Sequence, residues 1–279
     1  MKHVLTTCAL LALSTPAFAD QSVTIDFVAE IGGKPFSCTE PYDGLGSTDA
    51  SVTGTDYRMF VSAPALVHSD GSLQPIALEQ DGKWQLDDVA LLDFEDGTGG
   101  CNGTGNPDMN TSLRGTVPEG DYAGLAFTIA VPFEQNHGDP TLAPAPLNAT
   151  SMFWNWQGGF RFVRIDLVPT DKTEQGPKGW FLHLGSTLCD AASKTESPSA
   201  CANPNHVPVL FTGFDPETNV VVVDPAPVVA GADMRVNAPE TSPGCMSFPG
   251  DADCVTVMEK LGLPYGDIPA GTQQLVSVR

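Results

Sequence analysis

Short runs rich in Val, Ile, Phe and Tyr recur along the chain, and Gly, Pro and Asp separate them. Pairs such as Asp70-Gly71 and Asp81-Gly82 stand between the runs and are typical of tight turns. With 24 prolines and 28 glycines, the chain has little room for long helices. The sequence therefore predicts an all-β fold, an antiparallel β-sandwich or barrel with long loops.

The apolar runs place the individual strands. The predicted strands are residues 23–31, 57–67, 84–93, 122–131, 160–168, 179–184, 207–214, 220–224 and 273–278. One short segment, residues 252–261, has helical character. The Gly/Asn-rich stretch 98–110 is a predicted loop, and no repeat of fixed period divides the chain.

The amino terminus has the pattern of a secretory signal peptide. Lys2 precedes an apolar run at residues 4–13, which is too short to span a bilayer, and residues 17–19 (Ala-Phe-Ala) form a small-x-small cleavage site. We therefore expect a soluble mature protein that begins at Asp20 and is periplasmic or secreted. The sequence predicts a signal peptide, a β domain and a Pro/Gly-rich extension packed on that domain, at residues 1–19, 20–224 and 225–279.

The cysteines indicate disulfides. Removal of the signal peptide takes away Cys8 and leaves six of the seven cysteines, an even number in an exported protein. The absence of any CxxC pair argues against zinc, a redox dithiol or c-type haem. Many connectivities are possible, and proximity along the chain favours three pairs: Cys189–Cys201, Cys245–Cys254 and, as the remainder, Cys38–Cys101.

The charge balance limits the classes of partner that the protein can bind. The chain has 13 Lys and Arg against 34 Asp and Glu, a net charge of −21. Such a field repels nucleic acid and anionic membranes and attracts cations, so we expect neither nucleic-acid binding nor membrane insertion. Four acidic residues around the glycine-rich loop have ligand chemistry for Ca²⁺ but fit no spacing rule: Asp93, Glu95, Asp96 and Asp108.

Two histidines have positions compatible with a site. His137 follows the predicted strand 122–131 in a loop, and loops held by a sheet often carry function. His183 lies on a predicted strand, where its imidazole projects with Phe181 and away from Trp180. An imidazole on an apolar strand is more often a hydrogen-bonded core residue than a ligand, so neither histidine decides the function alone.

The stretch MFWNWQGGF (152–160) contains two of the four tryptophans. If it is extended, the side chains of Met152, Trp154 and Trp156 share one face of a strand. Imidazole nitrogen and thioether sulfur are ligands that Cu(I) accepts, so the two histidines and Met152 suggest a copper site. Two indoles on a strand are, however, commonly packed core. The residues alone leave both interpretations open.

Several segments in a fixed order carry a family resemblance. They are YRMFVSAPALVHSDG (57–71), WQLDDVALLDFEDGTGGC (84–101), GDYAGLAFTIAVPFEQNH (120–137), PAPLNATSMFWNWQGGFRFVRID (144–166), GWFLHLGSTLC (179–189) and CANPNH (201–206). Together they resemble the MbnP-like periplasmic copper-binding proteins, the four-Cys member of the metallo-mystery pair. The resemblance extends over the mature chain to about residue 224.

The resemblance implies a role in copper homeostasis. Members of the family are partners of a MauG-like (MbnH-like) di-haem peroxidase, which oxidises the first tryptophan of a WxW motif to kynurenine before one Cu(I) binds. Carried onto this chain, Trp154 is the implied kynurenine, His137 and His183 are the implied ligands, and Met152 is a further candidate. The four-Cys pattern falls on Cys38, Cys101, Cys189 and Cys201.

Neighbouring polar residues are candidates to orient the ligands through hydrogen bonds. They are Trp156, Asn155, Gln157, Arg164 and Asp166. His206 departs from the family pattern, which has arginine after Pro-Asn, and we interpret it as an incidental exposed residue. The resemblance thus implies a binding protein rather than an enzyme. Two rivals remain: a secreted copper oxidase or hydrolase that uses His137 or His183 as a base, and a structural β domain without a metal.

Overall fold

The computed structural model describes residues 19–103, 107–170 and 179–279. The strands are β1 (Asp20–Ile31), β2 (Lys34–Pro35), β3 (Pro41–Leu45), β4 (Ala50–His68), β5 (Leu73–Pro75), β6 (Ala77–Leu78), β7 (Gln85–Leu86), β8 (Val89–Asp93), β9 (Ser112–Pro118), β10 (Tyr122–Ile129), β11 (Phe153–Asn155), β12 (Gly159–Phe160), β13 (Val163–Pro169), β14 (Trp180–Leu184), β15 (Thr187–Cys189), β16 (Cys201–Asn203), β17 (Val207–Thr212), β18 (Val221–Val223), β19 (Gly244–Cys245) and β20 (Val276–Val278). The helices are α1 (Phe133–Asn136), α2 (Ala226–Val229) and α3 (Val255–Lys260), with 3₁₀ turns at Gly99–Cys101, Thr150–Met152 and Ala252–Cys254.

Besides the two-stranded sheets formed by the pairs β11–β12 and β15–β16, two large sheets form most of the structure. The smaller has the order β20–β18–β1–β9–β6, and β2 pairs with β1. The larger has the order β17–β10–β4–β13–β14–β19, while β3, β5 and β8 also pair with the long strand β4, and β7 pairs with β8. Most neighbours are antiparallel; β1 with β18 and β14 with β19 are parallel. The predicted all-β fold with antiparallel sheets is confirmed.

The core lies between the sheets. Phe27 of β1 packs edge-to-face on Phe127 of β10 with ring centroids 5.9 Å apart. Tyr57 of β4 is fully buried, and its hydroxyl donates to the carbonyl of Val223 at 2.7 Å. Because these contacts join strands of different sheets, they define a sandwich whose inner faces are apolar.

Three disulfides fasten the loops and the carboxyl-terminal segment. The pairs are Cys38–Cys101, Cys189–Cys201 and Cys245–Cys254, and all three predicted pairings are therefore confirmed. Residues 225–279 supply β19 to the larger sheet and β20 to the smaller. Arg279 also pairs with Glu30 of β1 at 2.6 Å. Among the described residues, no helix has the length and apolar character needed to cross a membrane.

Several predicted strands have different bounds. Residues 84–93 form two strands, β7 and β8, because Asp87 adopts a left-handed φ of 54° and turns the chain back on itself. The predicted strand 160–168 breaks at residues 161–162 and gives β12 and β13. Strands β3 and β9 were missed, since Gly, Thr and Ser dilute their apolar pattern. The predicted signal peptide, except Ala19, and residues 104–106 of the predicted loop lie outside the described residues.

Candidate functional site

The tryptophan pair lies on a tight hairpin formed by β11 and β12. The Asn155 side chain accepts from the Gly158 amide at 2.9 Å, and Gly159 has a left-handed φ of 72°. Trp156 is consequently in the turn and not on a continuous strand with Trp154. The prediction that the two indoles share one face of a single strand is wrong, because the Asn-x-x-Gly chemistry closes a turn.

Trp154 is partly buried between side chains from three segments. Its ring lies 5.5 Å from the ring of Phe248, and the Arg161 guanidinium carbon lies 5.6 Å from its ring centroid. Its edge also covers Gly185, where an added Cβ would stand 2.5 Å from the indole. Glycine at 185 is therefore what lets the indole approach the segment that follows His183.

His183 is buried on β14, with its ring stacked on Phe181 at 5.6 Å and 9° as the strand parity predicted. One imidazole nitrogen, Nε2, lies 2.6 Å from a carboxylate oxygen of Asp166, and Arg161 donates from Nε to Nδ1 at 3.3 Å. Burial lowers the pKa of His183, although Asp166 acts in the opposite direction. A neutral imidazole that donates from Nε2 and accepts at Nδ1 satisfies both contacts. The lone pair of His183 is therefore on Nδ1.

A buried ladder of charges crosses β4 and β13 beside His183. Arg164 donates to Asp166 at 2.8 Å and pairs with Asp56 at 3.2 Å, and Asp56 in turn pairs with Arg58. Burial raises the pKa of Asp166, but the hydrogen bond from His183 and the charge of Arg164 bring it below its usual range. Asp166 is thus a carboxylate that orients the imidazole, as predicted for this residue.

His137 is buried at the carboxyl end of the one-turn helix α1, which the sequence analysis described as loop. Its Nδ1 lies 3.0 Å from the carbonyl oxygen of Trp156, and its Nε2 lies 3.2 Å from the Asn136 amide nitrogen and 3.5 Å from Sγ of Cys201. Burial lowers the pKa of His137, so the ring is neutral. Because Nδ1–H donates to a carbonyl, the lone pair is on Nε2. Trp156 thus orients this histidine through its backbone.

Asn136 connects the hairpin to the His137 segment. This fully buried side chain accepts from the Phe160 amide at 2.7 Å and contacts the Ser186 hydroxyl at 3.3 Å. An added Cβ at Gly159 would stand 2.4 Å from its amide oxygen. The hairpin is therefore held between the two histidine-bearing segments, α1 on one side and the end of β14 on the other.

The remaining predicted residues have distinct surroundings. Met152 is fully buried within the apolar core. Gln157 donates to the carbonyl of Cys189 at 3.1 Å, which ties the turn to the Cys189–Cys201 disulfide. His206 is not exposed as predicted, since it is half-buried with its ring 5.5 Å from that of Phe162.

The acidic residues near the glycine-rich loop have other partners. Asp108 pairs with Lys83 at 2.5 Å, and Asp96 accepts from the Thr98 amide and hydroxyl. Asp93 and Glu95 are buried beside Arg58, a cation that opposes the binding of another cation. The geometry gives no support to a calcium site there. Two His/Cys/Glu groupings, each built around a disulfide, present sulfur that is oxidised and therefore not thiolate.

The fold and this arrangement can be compared with known proteins. The MbnP family model matches residues 20–247. The chain belongs to the MbnP family. The solved structure of MbnP from Methylosinus trichosporium is similar to this MbnP-family chain, with a TM-score of 0.82 and 35% identity, over 93% of this chain and 98% of that one. No match was found among curated proteins. The resemblance predicted from sequence is therefore confirmed.

Three residues of this MbnP-family site escaped the sequence analysis. Arg161 contacts both Trp154 and His183, Asn136 holds the hairpin, and Ser247 donates to the carbonyl of His183 at 2.8 Å. An arginine within an apolar strand region is a signal for Arg161, and adjacency to His137 is one for Asn136. For Ser247, no local signal exists.

Proposed function

We propose that this protein is an exported copper-binding protein that holds one Cu(I) after Trp154 is converted to kynurenine. Membership of the MbnP family supports a copper-related role. The observation that carries the proposal is the hairpin held between two buried, neutral histidines, His137 and His183. Each has one nitrogen fixed by an acceptor and one nitrogen with a lone pair. Neutral imidazoles with this fixed tautomer are the form that binds metal, and copper accepts them.

The location of Trp154 supports its role as the modified residue. Its indole is partly exposed, so an oxidising partner has access to it, whereas Met152 on the same segment is fully buried. Conversion to kynurenine opens the indole to an aromatic amine and a ketone, and the ring carbon C2 leaves as formate. The amine and the ketone supply donor atoms beside Gly185, two residues after His183. We propose a MauG-like di-haem peroxidase as the catalyst and hydrogen peroxide as the oxidant, with two equivalents of peroxide consumed for each tryptophan converted. In this reaction the chain is the substrate and performs no catalysis itself.

The electrostatics agree with the capture of a cation. The net charge of −21 raises the local concentration of cations at the surface. The site itself is less acidic than the surface, because three arginines accompany Asp56 and Asp166 there. Such a site favours a monovalent, soft ion over a hard dication such as Ca²⁺.

Mass spectrometry of the mature protein tests the modification. The chain is produced with and without a co-expressed di-haem partner, and bound copper is measured in both preparations. We expect the mass change of kynurenine on the peptide that contains Trp154, together with about one equivalent of copper, only with the partner. Trp156→Phe is the matched control that keeps the modification, and Trp154→Phe abolishes it. An unmodified Trp154 and no copper with an active partner contradict the proposal.

Histidine variants test the ligands. We expect His137→Gln and His183→Gln each to lose copper. The control is His68→Gln, which should retain copper, because the His68 ring contacts the carbonyl of Asp121 and no residue of the site. Copper retained in both site variants contradicts the ligand assignment. Copper-dependent turnover abolished by the same variants favours the enzyme rival. The structural rival predicts no copper in any preparation.

A further inference from the structure

Arg161 is hydrogen-bonded to Nδ1 of His183, the ring nitrogen that carries the lone pair. Its Nε donates to Nδ1 at 3.3 Å, while Asp166 takes the other ring nitrogen at 2.6 Å. Both imidazole nitrogens are thus engaged, and the one lone pair that a metal ion needs already accepts a hydrogen bond. A cation that binds His183 at Nδ1 must first displace this guanidinium.

The guanidinium is held by neutral groups. Its Nη1 donates to the carbonyls of Ser151 and Phe153 at 3.0 and 3.1 Å, and its carbon lies 5.6 Å from the ring centroid of Trp154. Within the described ranges, Arg161 makes no ion pair, in contrast to Arg164. Since Arg161 is partly exposed, its side chain has a path to solvent. No carboxylate among the described residues therefore bonds the guanidinium directly, and the charges of Asp166 and Asp56 attract it only from beyond salt-bridge distance.

Displacement of the Arg161 guanidinium by a metal ion affects the net charge of the buried cluster. Arg58 and Arg164 remain beside the site with Asp56 and Asp166. A monovalent ion that replaces the guanidinium leaves the net charge of this buried cluster unchanged, whereas a divalent ion adds one positive charge. Extra positive charge in a buried, arginine-rich cluster is unfavourable.

We propose that Arg161 closes the His183 end of the site in the metal-free protein and that the incoming ion displaces it. The ion then binds beside Arg58 and Arg164, whose remaining charge favours a monovalent over a divalent ion. The proposal rests on the proposed function, because it takes His183 as a ligand. Arg161 is accordingly a residue that closes the site and not a ligand.

Metal titration of the full chain, prepared with the partner enzyme, tests the exchange. Ag⁺ is a redox-inert monovalent probe and Zn²⁺ a divalent one. In Arg161→Ala and Arg161→Gln we expect both ions to bind more tightly, on the order of tenfold, because a charge-assisted hydrogen bond no longer has to be broken. The gain is the same for both ions, because the guanidinium has left His183 in either metal-bound state, so the preference for Ag⁺ over Zn²⁺ is unchanged. Arg161→Lys, which retains a cationic hydrogen-bond donor, gains less affinity than Arg161→Gln, and the exposed Arg114→Gln matches the wild type.

A second measurement needs no metal. Diethyl pyrocarbonate acylates unprotonated imidazole nitrogen, and peptide mass spectrometry follows its reaction with His183 relative to His68. We expect faster acylation of His183 in both Arg161 variants. Thermal unfolding checks that each variant is folded, and the glutamine variant preserves polarity if alanine unfolds the site.

The outcomes separate the two proposals. If His183→Gln abolishes Ag⁺ binding while the Arg161 variants keep wild-type affinities and acylation rates, the inference about Arg161 fails and the proposed function stands. If His183→Gln binds Ag⁺ like the wild type, the ligand assignment fails and the inference fails with it.

Discussion

Asp93 provides a sharp test of the buried charges. It ends β8 with 1% of its surface exposed and lies opposite Arg58 of β4. Burial raises the pKa of Asp93 from 3.8 to about 7 against the opposing charge of Arg58, and the nearby Glu95 adds to the rise. Between these two pH values the folded protein holds a proton that the unfolded chain has released.

This difference makes stability depend on pH with a definite sign. The contribution of Asp93 to the free energy of unfolding is fully present below the unfolded pKa and is lost as the pH rises to about 7. A shift of this size corresponds to a loss on the order of 4 kcal/mol. Asp93→Asn cannot titrate. Any cost of burying its amide is independent of pH, so the difference between the two proteins isolates the carboxyl group.

Urea unfolding followed by tryptophan fluorescence measures the effect from about pH 4.5 to about pH 8. We expect Asp93→Asn to gain stability on the wild type steadily up to about pH 7 and then to level off. Asp26→Asn, an exposed carboxylate on β1, controls for the loss of one negative charge. A stability difference between Asp93→Asn and the wild type that stays constant with pH would contradict the burial of a protonated Asp93 carboxyl group.

Three further predictions concern the packing of Trp154, the buried Asn136 and the disulfides. Gly185→Ala places a methyl group 2.5 Å from the Trp154 ring, so it should lower the free energy of unfolding by about 1–3 kcal/mol and alter the tryptophan fluorescence. Its control is Gly120→Ala, where the new methyl group meets only ordinary contacts from 3.5 Å and stability should hardly change. Asn136→Ala leaves the buried Phe160 amide without its acceptor and should cost about 1–3 kcal/mol in urea unfolding. Asn136→Asp keeps an acceptor and should lose less stability at about pH 4 than at about pH 7, because the fully buried carboxyl group is tolerated only when it is neutral. Removing the disulfide that spans 63 residues should lower stability by about 1.5 kcal/mol more than removing the one that spans 12, and equal losses by calorimetry would contradict the loop-entropy account.

Local patterns in the sequence predicted the parts of the structure that depend on neighbours along the chain. Strand alternation was enough to place His183 with Phe181, and Cys189–Cys201 followed from short sequence separation. The hairpin was harder, because its course depends on the left-handed Gly159, which fits only against the distant Asn136. The alternation of side chains along a strand carries no information about a contact between residues this far apart in the sequence.

The candidate site required long-range information for the same reason. His137 and His183 are 46 positions apart, and the elements that orient them come from still other parts of the chain. Arg161 is the clearest example, since its contacts with Trp154 and His183 depend on how β12 ends before β13 begins. Sequence reasoning identified which residues have the right chemistry, and the tertiary fold determines which nitrogen of each is available.

The carboxyl-terminal segment helps to position His183. Strand β19 pairs in parallel with β14 at Phe181 and Leu182, directly before His183. Ser247 then donates to the carbonyl of His183 at 2.8 Å and accepts from the amide of Gly185 at 3.4 Å. These bonds fix the backbone on both sides of His183, the proposed ligand. The disulfide at Cys245 therefore stabilises the strand that holds the imidazole, and loosening it should disturb His183 before it disturbs the core.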